Sequence, residues 1–176
     1  MVPKTSLFVI LLITLSLSLF GQEQVNDTLV PEPKTIVRLG LIWPSFQVEQ
    51  TIARNKTLVF DLWTGFSYLH QSINGQSSSS FEMDPGFTIQ ARFYTNLEYR
   101  RDIHKTTDYY SGTYIGIPVS VFFKNAGMAG GIVGGFQKKL GESGFWNISG
   151  GVGIREYSGL TDFSPLGNLS LGFILK

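Results

Sequence analysis

Cysteine is absent from all 176 residues, so disulfides, thiolate metal sites, a cysteine nucleophile and a lipidated N-terminal cysteine are excluded. Any anchorage must come from the fold. Charge is scarce as well: Asp, Glu, Lys and Arg make up 15% of the chain, against roughly 25% in ordinary soluble domains. The 14 basic and 13 acidic residues nearly cancel, and Lys4 lies in the N-terminal leader, so the chain beyond the leader is neutral. No basic excess points to nucleic acid or to a polybasic membrane contact. Beyond residue 22 no apolar run approaches the roughly 20 residues that a membrane-spanning helix needs.

What is present is aromatic and small: aromatic residues reach 14%, and there are 20 glycines. The first residues read as an address. Met1 to Lys4 supply a positive start, and Ser6 to Phe20 form an apolar run that ends in the polar stretch Gly21 to Asn26. We expect a signal peptide over residues 1–22, cut between Phe20 and Gln24. An extended, Pro-bearing periplasmic lead-in is expected over residues 23–34, and one domain of ordinary size over 35–176.

Within 35–176, hydrophobicity alternates with period two in one segment after another, the mark of strands with two unlike faces. Near the start Val37, Leu39, Leu41 and Trp43 alternate with Arg38 and Gly40; after Pro44, Phe46, Val48 and Ile52 alternate with Gln47, Glu49 and Thr51. Leu58, Phe60, Leu62, Phe66 and Tyr68 share a face opposite Asp61, Gly65 and Ser67. Phe87, Ile89, Ala91 and Phe93 oppose Thr88, Gln90, Arg92 and Tyr94. Ile115, Ile117, Val119, Val121 and Phe123 oppose Tyr114, Gly116, Pro118 and Ser120, with Pro118 predicting a bulge or a local break in pairing. Trp146, Ile148, Val152 and Ile154 oppose Asn147, Ser149, Gly151, Gly153 and Arg155; Leu169, Leu171, Phe173 and Leu175 oppose Asn168, Ser170 and Gly172. Adding Gly127 to Gln137, whose faces the sequence leaves unassigned, makes eight strands.

An even count returns both termini to one side. The predicted outer joints are Trp43 to Ser45, Gln71 to Asp84, Asn125 to Ala126, and Ser158 to Pro165. The inner ones are Ala53 to Lys56, Thr95 to Tyr109, which has room for a short helix, and Leu140 to Ser143. The fold class expected is therefore all-β, an eight-stranded antiparallel up-and-down transmembrane β-barrel.

Alternation suits a soluble barrel equally well, so composition must say which face is outside. The polar positions carry mostly Gly, Ser, Thr, Asn, Gln and Tyr rather than runs of Lys and Glu, which fits a narrow interior. We therefore expect Leu58, Phe60, Leu62, Phe87, Ile89, Phe93, Ile115, Ile117, Val119, Val121, Ile148, Val152, Leu169, Leu171 and Phe173 to face lipid. Arg38, Glu49, Asp61, Arg92 and Arg155 would form an ion cluster in the lumen, Glu49 and Asp61 each touching an arginine because an unpaired buried charge is costly. Trp43, Tyr68, Tyr109, Tyr110, Phe145 and Tyr157, near strand ends, are expected in interfacial girdles.

The segments PSFQVEQ (Pro44 to Gln50, with Glu49 inward), ARFYTNLEYRR (Ala91 to Arg101) and SGTYIG (Ser111 to Gly116) resemble the small eight-stranded outer-membrane β-barrel families of Gram-negative bacteria, most of unknown function. The resemblance covers roughly 35–176. It implies a bacterial outer-membrane location with both termini periplasmic, and outer-membrane lipids as surroundings. Periplasmic chaperones and barrel-assembly machinery would be partners during export. The terminal LGFILK departs from the usual terminal aromatic, since Phe173 lies three positions early.

Chemistry-bearing motifs are few. His70-Gln71-Ser72 is similar to the HxS element of outer-membrane lipid A deacylases, for which Glu82 would complete a serine, histidine and glutamate set. His104 stands in a charged turn without a second ligand at metal-binding spacing. Gly130, Gly131, Gly134 and Gly135 fit no phosphate loop or dinucleotide fingerprint and suit crowding relief in a narrow lumen. No cofactor is implied. The leading expectation is a non-enzymatic barrel whose lumen is filled by side chains, serving envelope integrity or surface loop presentation. A lipid A-modifying hydrolase using His70 and Ser72, and a secreted lipocalin-like barrel holding a small ligand, remain open alternatives.

Overall fold

The alternating segments pair into one closed sheet. The computed structural model describes residues 35–73, 76–105, 107–124, 127–157 and 160–175, without the side chains of 66–73, 76–82 and 157. The expected signal peptide and lead-in lie outside the described residues.

The strands are β1 (Thr35–Gly40), β2 (Ser45–Ala53), β3 (Lys56–Ile73), β4 (Gln76–Tyr94), β5 (Gly112–Phe122), β6 (Gly127–Leu140), β7 (Gly144–Tyr157) and β8 (Leu160–Leu175). Each runs antiparallel to the one before it, and β8 returns to β1 through Val37↔Leu175 to Gly40↔Gly172, closing the ring. Closure removes, along the height where β1 pairs with β8, the exposed sheet edges that a flat sheet of this size would present.

Parity sorts the side chains. Arg38, Glu49, Val59, Arg92, Tyr94, Tyr114, Val133, Gln137 and Asn147 are buried, whereas their neighbours along the strands are half-buried or exposed, except the small Ala91 beside Arg92. The exposed set includes Leu62, Ile132 and Phe173, each at least half open. In β6 the inward positions are Gly127, Ala129, Gly131, Val133, Gly135 and Gln137, which settles the faces of that strand. Gly135 is needed there because a Cβ would overlap the Tyr114 ring. Pro118 interrupts the β5–β6 ladder between Gly116↔Val133 and Val119↔Gly130, and the register resumes unchanged.

Several joints differ from the sequence expectation. Gln71 to Asp84 is not an outer loop: β3 and β4 continue as a ribbon to Ile73↔Gln76, well past the last β4–β5 pair, Gly86↔Phe122. A backbone ladder needs no apolar alternation, so this Ser-rich run carried no strand signal. Ser158 to Pro165 is likewise mostly strand, because β8 begins at Leu160 and pairs Pro165 with Val152. Proline is tolerated there because this part of β8 has no described partner on its β1 side. The first joint is the turn Leu41 to Pro44, and Asn125 to Ala126 lies outside the described residues.

The 95–111 connection holds a short helix, α1 (Leu97–Asp102), and a 3-10 turn at Asp108–Tyr110. In that turn Tyr109 and Tyr110 both adopt positive φ, 54° and 59°, a conformation costly to residues with a Cβ. Tyr110 is fully buried and packs with Ile36, Leu97, Phe145 and Ile174 across the end of the ring where β1 starts and β8 stops. Tyr110 and Phe145 are therefore inside the ring and not in an outer girdle, and Tyr109 is half-buried beside them. Trp43 is exposed, and the side chains of Tyr68 and Tyr157 lie outside the described residues.

Candidate functional site

Pairing brings five strands' polar positions to one level of the lumen. Ile36↔Glu49 and Glu49↔Val59 set Glu49 beside Arg38 on one flank and Thr57 on the other, and Thr57↔Arg92 carries the level on to β4. Arg38 Nη1 donates to Glu49 Oε2 at 2.5 Å and to Gln47 Oε1 at 3.1 Å, and both members of the ion pair are fully enclosed. The other carboxylate oxygen of Glu49 accepts from Thr57 Oγ1 at 2.6 Å and from Tyr94 Oη at 2.8 Å. Arg92 stands 3.9 Å from Glu49 Oε2, donates to Gln90 and Gln137 at 2.9 Å each, and lies over the Tyr114 ring. One carboxylate thus answers two guanidinium groups, and Gln47, Gln90, Gln137 and the Tyr109 carbonyl accept further donors from them, leaving Arg38 Nε buried without a partner. Such extensive pairing is what makes a buried ion pair tolerable.

The strained turn completes the network. Tyr109 O accepts from Arg38 Nη2 and from Gln137 Nε2, both at 3.1 Å, and Tyr110 Oη donates to Thr51 Oγ1 at 2.8 Å. The positive φ at Tyr109 and Tyr110 turns a backbone carbonyl toward donors that would otherwise lose it. Tyr110 also stacks on Tyr94, ring centroids 4.9 Å apart.

Of the five charges expected together, the structure joins Arg38, Glu49 and Arg92. Asp61 stands apart from them. Its direct neighbour across the ladder is Gln47, whose Nε2 lies 3.4 Å from Oδ2, and no described arginine comes within ion-pair distance. The cause is height: Asp61 pairs with Thr88, further up β4 than Arg92, whose guanidinium reaches the Glu49 level. Oδ1 of Asp61 is buried without a hydrogen-bond partner. Arg155 is linked to Asp61 along the ladder only through Thr88, Ser120 and Ala129, and its guanidinium lies over the Phe122 ring at 4.7 Å.

The fifteen residues expected to face lipid are all half-buried or exposed, at positions alternating with the enclosed set. Thr57, Tyr94, Gln90, Gln137 and Asn147 belong to the lumen network although no charge drew attention to them; parity with the charged positions was the available signal for all but Gln137, whose strand had no assignable faces. The Tyr109 carbonyl had none.

Above this level the lumen opens into a cavity of about 670 Å³, lined in part by Asp61, Trp63, Gln90, Phe122, Asn147 and Arg155. The expectation of a side-chain-filled lumen is met at one end alone: side chains fill the end where β1 starts and β8 stops, and the cavity lies beyond them. The reason is side-chain size, for Gly65, Gly86, Ser120, Ala129, Gly131 and Ser149 hold inward positions there.

His70, Ser72 and Glu82 fall in the projecting ribbon, where their side chains lie outside the described residues; the backbone register pairs them with Ser79, Ser77 and Ser67. His104 is exposed, and among the described residues no group of three or more His, Asp or Glu gathers at metal-binding distance. No protein-family profile, no curated protein and no solved structure matches this chain.

Proposed function

We propose that the chain is an integral outer-membrane β-barrel of a Gram-negative envelope, non-enzymatic, closed toward the periplasm by its own side chains and open toward the outside. The observation that carries this reading is the inversion of polarity around the closed ring. Charged and amide side chains are enclosed, while Leu62, Ile132, Ile148, Phe173 and their neighbours form an exposed apolar belt. A soluble monomer rarely exposes so continuous an apolar surface, whereas lipid tails require it. β1 starts and β8 stops at the plugged end, as an even strand count demands.

The plug supports a barrier role over a conducting one. Eight strands leave an interior that side chains can close, and here Arg38, Glu49, Tyr94 and Gln137 cross it with Tyr110 and Phe145 beneath. The long β3–β4 ribbon rises roughly 30 Å above its last neighbour, at about 3.3 Å per residue from Gln76 to Pro85, and is the part presented outward. Envelope integrity and surface presentation are the roles this architecture suits.

Cell fractionation tests the reading. The mature chain should stay with outer membranes through carbonate and urea washes and migrate heat-modifiably on gels. Release into buffer without detergent would overturn it in favour of a secreted barrel.

A further inference from the structure

The ring has a low side. β1 stops at Gly40, paired to Gly172, with one further bond from Leu41 N to Leu171 O at 2.8 Å. β2 begins at Ser45, opposite Trp63, and the turn before it adds only Thr64 N to Pro44 O at 2.9 Å. Above those points β3 and β8 run on, each paired on one side alone among the described residues. The wall between them is open for that height, and the lumen cavity extends into the opening: Trp43 and Gly65 line it on one flank, Gly167 and Leu169 on the other. Leu169 belongs to the outward belt, so the cavity reaches the outer surface of the ring sideways as well as through its mouth.

Inside, the cavity is furnished. Trp63 lies flat along the wall, its Nε1 donating to Thr88 Oγ1 at 2.8 Å and its ring crossed by the edge of Phe122 at 5.5 Å. Glycine at 86 makes room for it, since a Cβ there would come 2.5 Å from Trp63 Cζ2. Asp61, only 8% exposed, brings to the same cavity a carboxylate oxygen without a partner. A buried acceptor left in that state is costly, and a donor supplied from outside removes the cost.

We propose that this cavity is a binding site for a single-chain amphiphile drawn from the bilayer. The uncharged, hydroxyl- or amide-bearing head enters the lumen and donates to Asp61. The acyl chain leaves between Gly65 and Gly167 and lies along the outward belt. The head is uncharged because the walls carry both signs: the Asp61 carboxylate repels an anionic head, and Arg92 and Arg155 repel a cationic one. This inference rests on the bilayer reading above.

The test uses the full mature chain in phosphatidylcholine vesicles, with a monoacylglycerol brominated on its acyl chain as probe and brominated phosphatidylcholine as reference at equal bromine content. Bromine quenches tryptophan on contact. The chain has three tryptophans, so two single-tryptophan versions suffice: Trp63 alone (Trp43→Phe, Trp146→Phe), and Trp146 alone (Trp43→Phe, Trp63→Phe), the latter outward beside Phe136. Trp146 should be quenched by both lipids and Trp63 by the monoacylglycerol alone, saturably. Asp61→Leu and Gly167→Phe should each raise the half-quenching concentration about tenfold or more, the loss of one good contact. Gly167 can carry a side chain, since its Cβ position meets only Ser149 O at 3.5 Å. Heat-modifiable migration checks each variant's fold, and Asp61→Asn stands in if Asp61→Leu does not refold. The inference is overturned if Trp63 is quenched equally by both lipids, is not quenched by the monoacylglycerol, or is quenched regardless of Gly167→Phe. If Trp146 escapes the brominated phosphatidylcholine, the bilayer reading itself falls, and this inference with it.

Discussion

The two halves of the lumen share strands, parity and closure, yet one is solid and the other hollow. At the end where β1 starts and β8 stops, inward positions carry Arg38, Glu49, Arg92, Tyr94 and Gln137, and the hydrogen bonds run from group to group until both carboxylate oxygens are used. At the other end the inward positions are mostly small, and a carboxylate oxygen of Asp61 is left without a partner. Strand number fixes how wide the interior is; whether it is full depends on each inward residue in turn. The lower half is built for stability and closure, the upper half for occupancy.

The strongest way to break that comparison is to remove the carboxylate at the centre of the solid half. Glu49→Ala leaves Arg38 and Arg92 enclosed without a counter-charge and should cost about 3–5 kcal/mol. Urea unfolding in vesicles, followed by tryptophan emission, measures it. Replacing both members of the pair, Arg38→Met with Glu49→Leu, should recover most of the loss, because only Arg92 then lacks its counter-charge. A full loss in the double variant would mean that the hydrogen bonds to Thr57, Tyr94 and Tyr109, rather than charge compensation, hold this level together.

Beneath the ion pair, Leu97 anchors α1 against Ile36, Tyr110 and Phe145 and is 1% exposed. Leu97→Ala should cost roughly 2–4 kcal/mol in the same unfolding measurement, by opening a cavity in a packed layer. An effect well below 1 kcal/mol would show that the plug relies on its polar bonds alone.

How far these halves were legible depends on the kind of signal each feature leaves. Alternation is a local pattern, so Arg38, Glu49, Asp61 and Arg92 could be placed on one face and Leu58, Ile115 and Leu171 on the other by reading along the chain. Pro118 likewise announced the break in its ladder. The Ser-rich ribbon gave no alternation, and its pairing rests on backbone groups that every sequence has. The left-handed pair Tyr109–Tyr110 is imposed by tertiary contacts, since nothing in the local sequence favours positive φ at two adjacent tyrosines. Hollowness depends on which residues meet at one height around the ring, and that height is set by register, which single segments do not reveal. Asp61 and Glu49 read alike in the sequence; only the register puts them at different levels.

Glycines sharpen the contrast between filled and unfilled space. Gly135 faces the lumen where the Tyr114 ring occupies the site of a Cβ, while its neighbour Gly134 has nothing within 4 Å of that position. Gly135→Ala should cost about 1–3 kcal/mol by displacing a phenol that is bonded to Asn147 at 2.9 Å. Gly134→Ala should stay within about 0.5 kcal/mol of the parent. Equal effects, read as shifts of the urea midpoint, would mean that these two neighbours do not differ in the space they face.

A small effect is also expected at the residue that distinguishes the halves most. Asp61→Asn keeps the shape of the side chain and the contact with Gln47 but removes a buried charge that no described arginine pairs with. Because enclosing such a charge opposes folding, its neutralisation should leave the urea midpoint unchanged or raise it, within about 1 kcal/mol. Glu49→Gln, chemically the same change one level down, should lower the midpoint, since it strips two arginines of their counter-charge. A marked loss with Asp61→Asn would place that carboxylate among the groups that hold the barrel together. A neutral or stabilising result, combined with weakened monoacylglycerol quenching of Trp63, would separate the two roles: a group that the fold does not need and the ligand does.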